Sequence, residues 1–221
     1  MLILGVDEAG RGPVIGPLVM CGVLIEESKL KYLEKMGVKD SKNLTSKKRD
    51  ELFDKIKKYI KQYKLVIIEP SEIDFAVESE SSNLNQLEAE KTVEILNELK
   101  PEKAFIDCPD VNILNYKNSL NKKLKECCNK EINLIVEHKA EKYFAVAAAS
   151  ILAKVTRDRL ITEIKSKFNI DFGSGYSSDK YTQKFMELNW NNREYNSFIR
   201  KSWATYKRLK FNNNQSKLDN Y

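Results

Sequence analysis

Two adjacent carboxylates, Asp7 and Glu8, close an apolar run and are followed at once by a glycine-flanked arginine in Gly5-Val6-Asp7-Glu8-Ala9-Gly10-Arg11-Gly12-Pro13. Ionised carboxylates held close together repel unless a proton or a cation lies between them. Hard divalent cations such as Mg²⁺ take oxygen ligands, keep some of their waters and leave coordination positions for phosphate. On a regular strand consecutive side chains point to opposite faces, so only one of the two acids would join a given site. A strand end or bulge there would let both converge, at little cost beside glycines. The bland alternative is an acidic pair at an ordinary turn. Gly10, Arg11 and Gly12 allow close backbone approach and offer a guanidinium suited to phosphate. The spacing matches neither GxGxxG nor a Walker A loop.

Further acids fall where elements end. Asp107 follows Ala104-Phe105-Ile106, and Pro109 stops ordinary strand continuation. Asp110 is its rival, placed in the loop, where it could instead cap the next helix. Glu141 stands just before a long helical segment, where an acid could equally offset the helix dipole. His138 is the single histidine, which excludes multi-histidine zinc sites. Cys21, Cys108, Cys127 and Cys128 form no CxxC pair, so reduced thiols are expected. Ala147-Ala148-Ala149-Ser150 reads as a small surface for close helix packing, and Lys154 and Arg157 face phosphate or solvent.

The elements that must position these residues alternate between strand and helix. Strands are expected at Leu2–Asp7, Val14–Ile25, Leu65–Glu69, Lys103–Asp107 and Ile132–Val136. Amphipathic helices are expected at Ser28–Met36, Thr45–Gln62 with Thr45 as N-cap, Asn85–Leu99, Ile113–Cys128 and Phe144–Phe168. This pattern predicts an α/β domain around a mixed sheet, because the opening hairpin forbids an all-parallel one. After Gly173-Ser174-Gly175 come short helices rich in Lys and Arg, expected as a helical appendage over 179–211. The polar segment 212–221 is expected as a mobile tail.

The chain has 221 residues, with Lys and Arg exceeding Asp and Glu by 38 to 32, a net charge of +6. That excess permits a polyanionic partner without demanding one. No apolar run approaches a membrane span, and the first residues lack the pattern of a secretion signal, so a cytoplasmic protein is expected.

Five stretches occur in order along the chain: DEAGRGP at 7–13, DSKNL at 40–44, FIDC at 105–108, AAASILAKVTRD at 147–158 and GSGYSSD at 173–179. Together they resemble ribonuclease HII, the type 2 ribonuclease H, as far as about residue 210. The resemblance implies a ribonuclease H-like fold, a mixed sheet flanked by helices, with residues 1–178 as catalytic domain and 179–211 as a helical substrate-binding extension. It implies hydrolysis of the RNA strand of RNA–DNA hybrids and nicking on the 5′ side of ribonucleotides embedded in duplex DNA. Two-metal catalysis would leave 5′-phosphate and 3′-hydroxyl ends. Asp7, Glu8, Asp107 and Glu141 match the four acids that hold Mg²⁺ or Mn²⁺. The pattern is broken at Glu141, where most of the family carries Asp; the extra methylene moves the carboxylate by roughly 1.5 Å. Gly10, Arg11 and Gly12 are implied to contact sugar and phosphate at the junction, Tyr176 to pack on the neighbouring deoxyribose, and Lys42 to meet phosphate.

The chain ends in QSKLDNY, in which Gln215, Leu218 and Tyr221 resemble the sliding-clamp interaction peptide. On a helical turn Leu218 and Tyr221 share one side and can fill an apolar pocket, while Gln215 supplies a hydrogen bond. A monomer is expected. Two other readings compete: a related metal nuclease such as a junction resolvase, tested with branched DNA lacking ribonucleotides, and a non-catalytic hybrid-binding adaptor held at the clamp. Metal-dependent cleavage separates the enzymes from the adaptor.

Overall fold

The computed structural model describes residues 1–39, 45–127 and 132–218. Their packing gathers them into two units that cut across the chain differently from a division at residue 179. The first comprises 1–9, 19–67 and 84–156, the second 10–18, 68–83 and 157–221.

The first unit is built on a five-stranded sheet in the order β3-β2-β1-β4-β5. Its strands are β1 (Leu2–Ala9), β2 (Leu18–Glu26), β3 (Gln62–Ile68), β4 (Lys103–Asp107) and β5 (Asn133–Glu137). β1 runs antiparallel to β2 and parallel to β4, which runs parallel to β5. The mixed sheet thus matches the α/β expectation. Around it lie α1 (Leu30–Lys35), α2 (Ser46–Lys57), α4 (Leu84–Leu99) and α5 (Ile113–Cys127), with α3 (Pro70–Glu78) in the second unit. A long α6 (Phe144–Phe168) gives 144–156 to the first unit and 157–168 to the second.

Two glycines show how closely helices approach the sheet. A Cβ on Gly5 would overlap the backbone of Ala145 and Val146, so α6 packs directly on that face of β1. A Cβ on Gly22 would run into Ile95 of α4. Gly22 pairs with Val6, whereas Gly5 pairs with Val23, and paired residues share a face. α4 and α6 therefore cover opposite faces, which is why β2 is buried along almost its whole length.

The second unit packs Val14, Ile15, Ile161, Phe172, Phe185, Met186, Phe198 and Ile199 into one apolar cluster. Its other helices are α7 (Lys180–Asn189) and α8 (Ala204–Leu218). α7 starts on an N-cap that the sequence hides among charges: Asp179 accepts from Tyr181 N at 3.0 Å and from Ser174 N at 2.6 Å.

Several expectations need correction. The second strand begins at Leu18 instead of Val14, because the amides of Val14 and Ile15 donate to Gly175 O, and Gly16 N to Phe198 O. The helix expected to reach Gln62 ends at Lys57; Lys61 N then donates to Leu24 O at 2.8 Å and turns the chain into the sheet. Pro70, read as the stop of a strand, is instead the first residue of α3, where its missing N–H costs nothing. Where a mobile tail is expected from Asn212, α8 continues to Leu218, with Asn213 Nδ2 donating to Leu209 O at 2.9 Å. Among the described residues no helix is long and apolar enough to cross a membrane.

Candidate active site

Asp7 and Asp107 are positioned by the register of parallel strands. Val6 pairs with Ile106, so the next residue on each strand, Asp7 and Asp107, falls on the same face, the one α6 covers. Asp107 ends β4 and Asp7 lies two residues before the end of β1, near the carboxyl ends of the strands where α/β sheets place ligands. Asp107 in turn pairs with Glu137 of β5. The neighbouring Ala140 N donates to Asp107 Oδ1 at 2.7 Å, fixing its carboxylate to the short helical turn Ala140–Lys142. Lys139 enters that turn in the left-handed conformation, at φ 57°. Glu141 lies on the turn itself.

Asp7 is buried and its proton affinity is pushed up to about 7. Burial is the main cause, reinforced by the charges of Asp107 and Glu141, and opposed by hydrogen bonds from the Ser150 side chain and from Glu8 N. The latter bond is 2.8 Å long. Asp7 thus feels the charges of both Asp107 and Glu141 within the first unit. Burial also pushes the Cys21 thiol up, helped by the charge of Asp7, its cross-strand partner. Cys21 and Cys108 are free, buried thiols.

Glu8 follows the alternation of the strand. β1 keeps its pairing through Ala9, with no bulge, so alternation turns Glu8 towards the other face. There its charge joins that of Glu88 in raising the Tyr116 phenol, which burial raises most. Tyr116 OH lies 3.2 Å from Thr92 Oγ1, itself a donor to Glu88 O at 2.8 Å. Among the described residues, no three His, Cys, Asp or Glu side chains stand close enough together to hold a metal ion as a ready-made cage. The acids of the first unit are therefore a pair, Asp7 and Asp107, with Glu141 nearby and Glu8 on the opposite face.

In the second unit, Gly10 adopts φ 87° and lies against Arg157, whose Nε a Cβ would overlap, so only glycine fits. Gly12 sits beside Tyr176: a Cβ there would be 3.7 Å from the ring's Cε1. Arg157 is buried instead of facing phosphate or solvent, with its guanidinium 5.6 Å from the Tyr176 ring. Tyr176 is itself 40% exposed, leaving its ring open to a ligand. Gly10, Arg11, Gly12 and Tyr176 are thus brought together.

Other expected residues fall differently. Lys42 and Tyr221 lie outside the described residues. Gln215 is exposed on α8, and Leu218 is its last residue. His138 is exposed, with Nδ1 3.3 Å from Cys108 O. Asp110 lies in the loop and accepts from Asn112 N at 2.9 Å, while the cap of α5 expected of it falls to Asn112, whose Oδ1 accepts from Asn115 N at 3.0 Å. Sequence reading missed Ser150, taken for a packing residue, and Arg200, taken for one of many surface bases. Its only signal is position: Ser150 lies between apolar residues of a buried helix, where a hydroxyl needs a partner.

Comparison with known proteins places the chain in a family. The family model described as Ribonuclease HII matches residues 4–206. A relative from Pyrococcus abyssi named Ribonuclease HII is 44% identical over 228 residues, spanning 100% of this chain and 97% of its own. The crystal structure of ribonuclease H2 from Pyrococcus horikoshii OT3 superposes with a TM-score of 0.85 at 40% identity, covering 96% of this chain and 98% of its own. The RNase HII of an Archaeoglobus fulgidus PCNA:RNase HII complex superposes at 0.81, with 38% identity over 92% of this chain and 95% of its own.

Proposed function

This chain belongs to the ribonuclease HII family, and from that premise we propose that it nicks duplex DNA on the 5′ side of embedded ribonucleotides as well as cutting longer RNA tracts. Family membership makes it a metal-dependent endonuclease acting on RNA in RNA–DNA hybrids. The observation that carries the proposal is the placing of Asp7 and Asp107 on one face, each one residue past the Val6–Ile106 pair of adjacent parallel strands.

The residues fit a hard divalent cation. Their donors are all carboxylate oxygens, and without a cation the mutual repulsion and burial of these groups push Asp7 to hold a proton near neutrality. Asp7 and Asp107 would hold Mg²⁺ or Mn²⁺, joined by Glu141 from its turn and by Glu8 near the end of β1, where its charge also reaches Cys108 beside Asp107. Bound there, a pair of such ions would supply an activated water and charge stabilisation for the leaving 3′ oxygen. The protein's own part is positional. Ala140 N donates to one oxygen of Asp107 and so orients its carboxylate. Ser150 and Glu8 N orient Asp7 and favour its ionised form. No side-chain nucleophile is needed.

Discrimination belongs to the ribose 2′-hydroxyl, the group that distinguishes RNA from DNA. Gly10, Arg11 and Gly12 contact the sugar and phosphate at the junction, and the exposed ring of Tyr176 beside Gly12 stacks on the neighbouring deoxyribose. Lys42 contributes a phosphate contact. The basic residues of 179–211 add sequence-independent grip that weakens with salt.

The tail adds a partner. The Archaeoglobus fulgidus relative forms a complex with PCNA. In this chain Gln215, Leu218 and Tyr221 have the spacing of a clamp-binding peptide, and α8 already holds the first two in helical register.

The decisive assay offers the enzyme, with Mg²⁺ or Mn²⁺, a DNA duplex carrying one ribonucleotide, an all-DNA duplex and a long hybrid. Cleavage 5′ of the single ribonucleotide and of the hybrid, with the all-DNA duplex intact, is expected. Cleavage of the long hybrid alone would remove the embedded-ribonucleotide activity.

A further inference from the structure

Arg200 is completely buried, and its guanidinium is spent on backbone carbonyls of one loop. Nη2 donates to Gly10 O at 2.6 Å, Nη1 to Arg11 O at 2.8 Å and Nε to Gly16 O at 2.9 Å. Trp203 Nε1 donates to Gly12 O at 2.9 Å, and its ring lies 4.8 Å from the Arg200 guanidinium. Arg200 N donates to Val14 O at 2.9 Å. Between Arg200 and Trp203 the chain is pinned to α3: Asp74 accepts from Lys201 N, Ser202 N and Ser202 Oγ at 2.8, 2.9 and 2.6 Å. A single segment, residues 200–203, thus ties down the carbonyls of the Gly10–Gly16 loop, and a carboxylate on a helix anchors that segment.

The direction of those bonds has a consequence for what the loop presents. A trans peptide points its N–H opposite to its C=O, and no cis peptide occurs among the described residues. The carbonyls of Gly12 and Gly16 belong to peptides whose nitrogens are Pro13 and Pro17, which carry no N–H. The carbonyls of Gly10 and Arg11 belong to peptides whose donors are the N–H groups of Arg11 and Gly12. Arg200 therefore turns two amide donors away from itself. A carbonyl that accepts from a cation also polarises its own amide, strengthening the opposite donor.

We infer that Arg200, braced by Trp203 and Asp74, is a positioning residue that aims the Arg11 and Gly12 amides at a ribose hydroxyl and thereby sets the preference for ribose over deoxyribose. The inference rests on the reading above in which Gly10–Gly12 face the sugar. Lysine at this position keeps the charge but cannot span three carbonyls.

The test measures binding in EDTA, where hydrolysis is off, to a duplex with one ribonucleotide and to the same duplex made wholly of DNA. Wild type, Arg200→Lys, Trp203→Phe and Asp74→Asn are compared, with amide hydrogen exchange of residues 10–16 read in parallel. The ribose-to-deoxyribose preference should fall by about tenfold in Arg200→Lys and about threefold in Trp203→Phe, the scale of lost positioning hydrogen bonds. All-DNA affinity should stay within about twofold of wild type, and exchange of Arg11 and Gly12 should quicken. A general loss of structure would weaken both ligands alike. Unchanged preference in folded Arg200→Lys overturns the inference; if that variant does not fold, unchanged preference in Trp203→Phe does so. A wild type without preference removes the sugar-facing reading and this inference with it, whereas a preferring wild type with unaffected variants removes the inference alone.

Discussion

Asp7 and Asp107 stand next to each other on one face of the sheet, each one residue past the Val6–Ile106 pair of parallel strands β1 and β4. They are 100 positions apart in the chain, and the register alone makes them neighbours. Asp7 is buried, and its carboxyl is drawn towards neutrality by burial and by the charges of Asp107 and Glu141. Such a pair stores electrostatic strain that a divalent cation relieves.

This strain fixes a pH dependence. With Asp7 titrating near 7 in the folded protein and near 3.8 when exposed, the folded state binds the extra proton between those values. Stability of the metal-free protein should therefore fall as pH rises from about 4 to about 7, by a few kcal/mol at most. A divalent ion must displace that proton. Apparent Mg²⁺ affinity in calorimetry should drop about tenfold per pH unit below 7, with close to one proton released.

Neighbours of Asp7 should move that midpoint in opposite directions. Ser150→Ala removes a hydrogen bond to the ionised form and should shift the acid limb of the pH–rate profile upwards. Glu141→Gln removes a repelling charge and should shift it downwards, alongside any loss from a missing ligand. Shifts of the same sign would disconnect these residues from Asp7.

Tyr176→Ala should reduce cleavage at isolated ribonucleotides by about tenfold more than along all-RNA strands, the scale of a lost base- or sugar-stacking aromatic. Steady-state kinetics on the two substrates checks this. Equal losses would count against a role at the junction.

Leu218→Ala combined with Tyr221→Ala should abolish association with a sliding clamp in surface plasmon resonance, yet leave hydrolysis of free substrate unchanged. Retained clamp affinity would exclude the terminal peptide as the contact.

Much of this was legible in the sequence because the informative signals are local. Lys103–Asp107 and Phe144–Phe168 are bounded as the apolar runs and punctuation indicate. The end of an apolar run before Pro109 marks Asp107 and Asp110 as rivals, and the resemblance to ribonuclease HII is what chooses Asp107. What alternation alone left open was whether a bulge turns Glu8 to the face of Asp7; pairing of β1 through Ala9 shows none, and pairing is a property of the neighbouring strand. Arg200 shows the same limit. Among the basic residues after 179 its composition resembles a solvated surface, and only the loop arriving from residues 10–16 makes it a buried clamp. α3 was overlooked because Pro70 reads equally as a strand stop and a helix start.

The central claim, that Asp7 and Asp107 share the ion on which cleavage depends, is tested most directly by a crystal soaked in Mn²⁺ and measured at a wavelength where manganese scatters anomalously, beside the activity of Asp7→Asn. The account expects a manganese peak within about 2.0–2.3 Å of oxygens from both residues, lost in Asp7→Asn together with about three orders of magnitude in turnover while hybrid binding persists. A peak that touches neither residue in the wild type, or an Asp7→Asn enzyme of normal turnover, would contradict it.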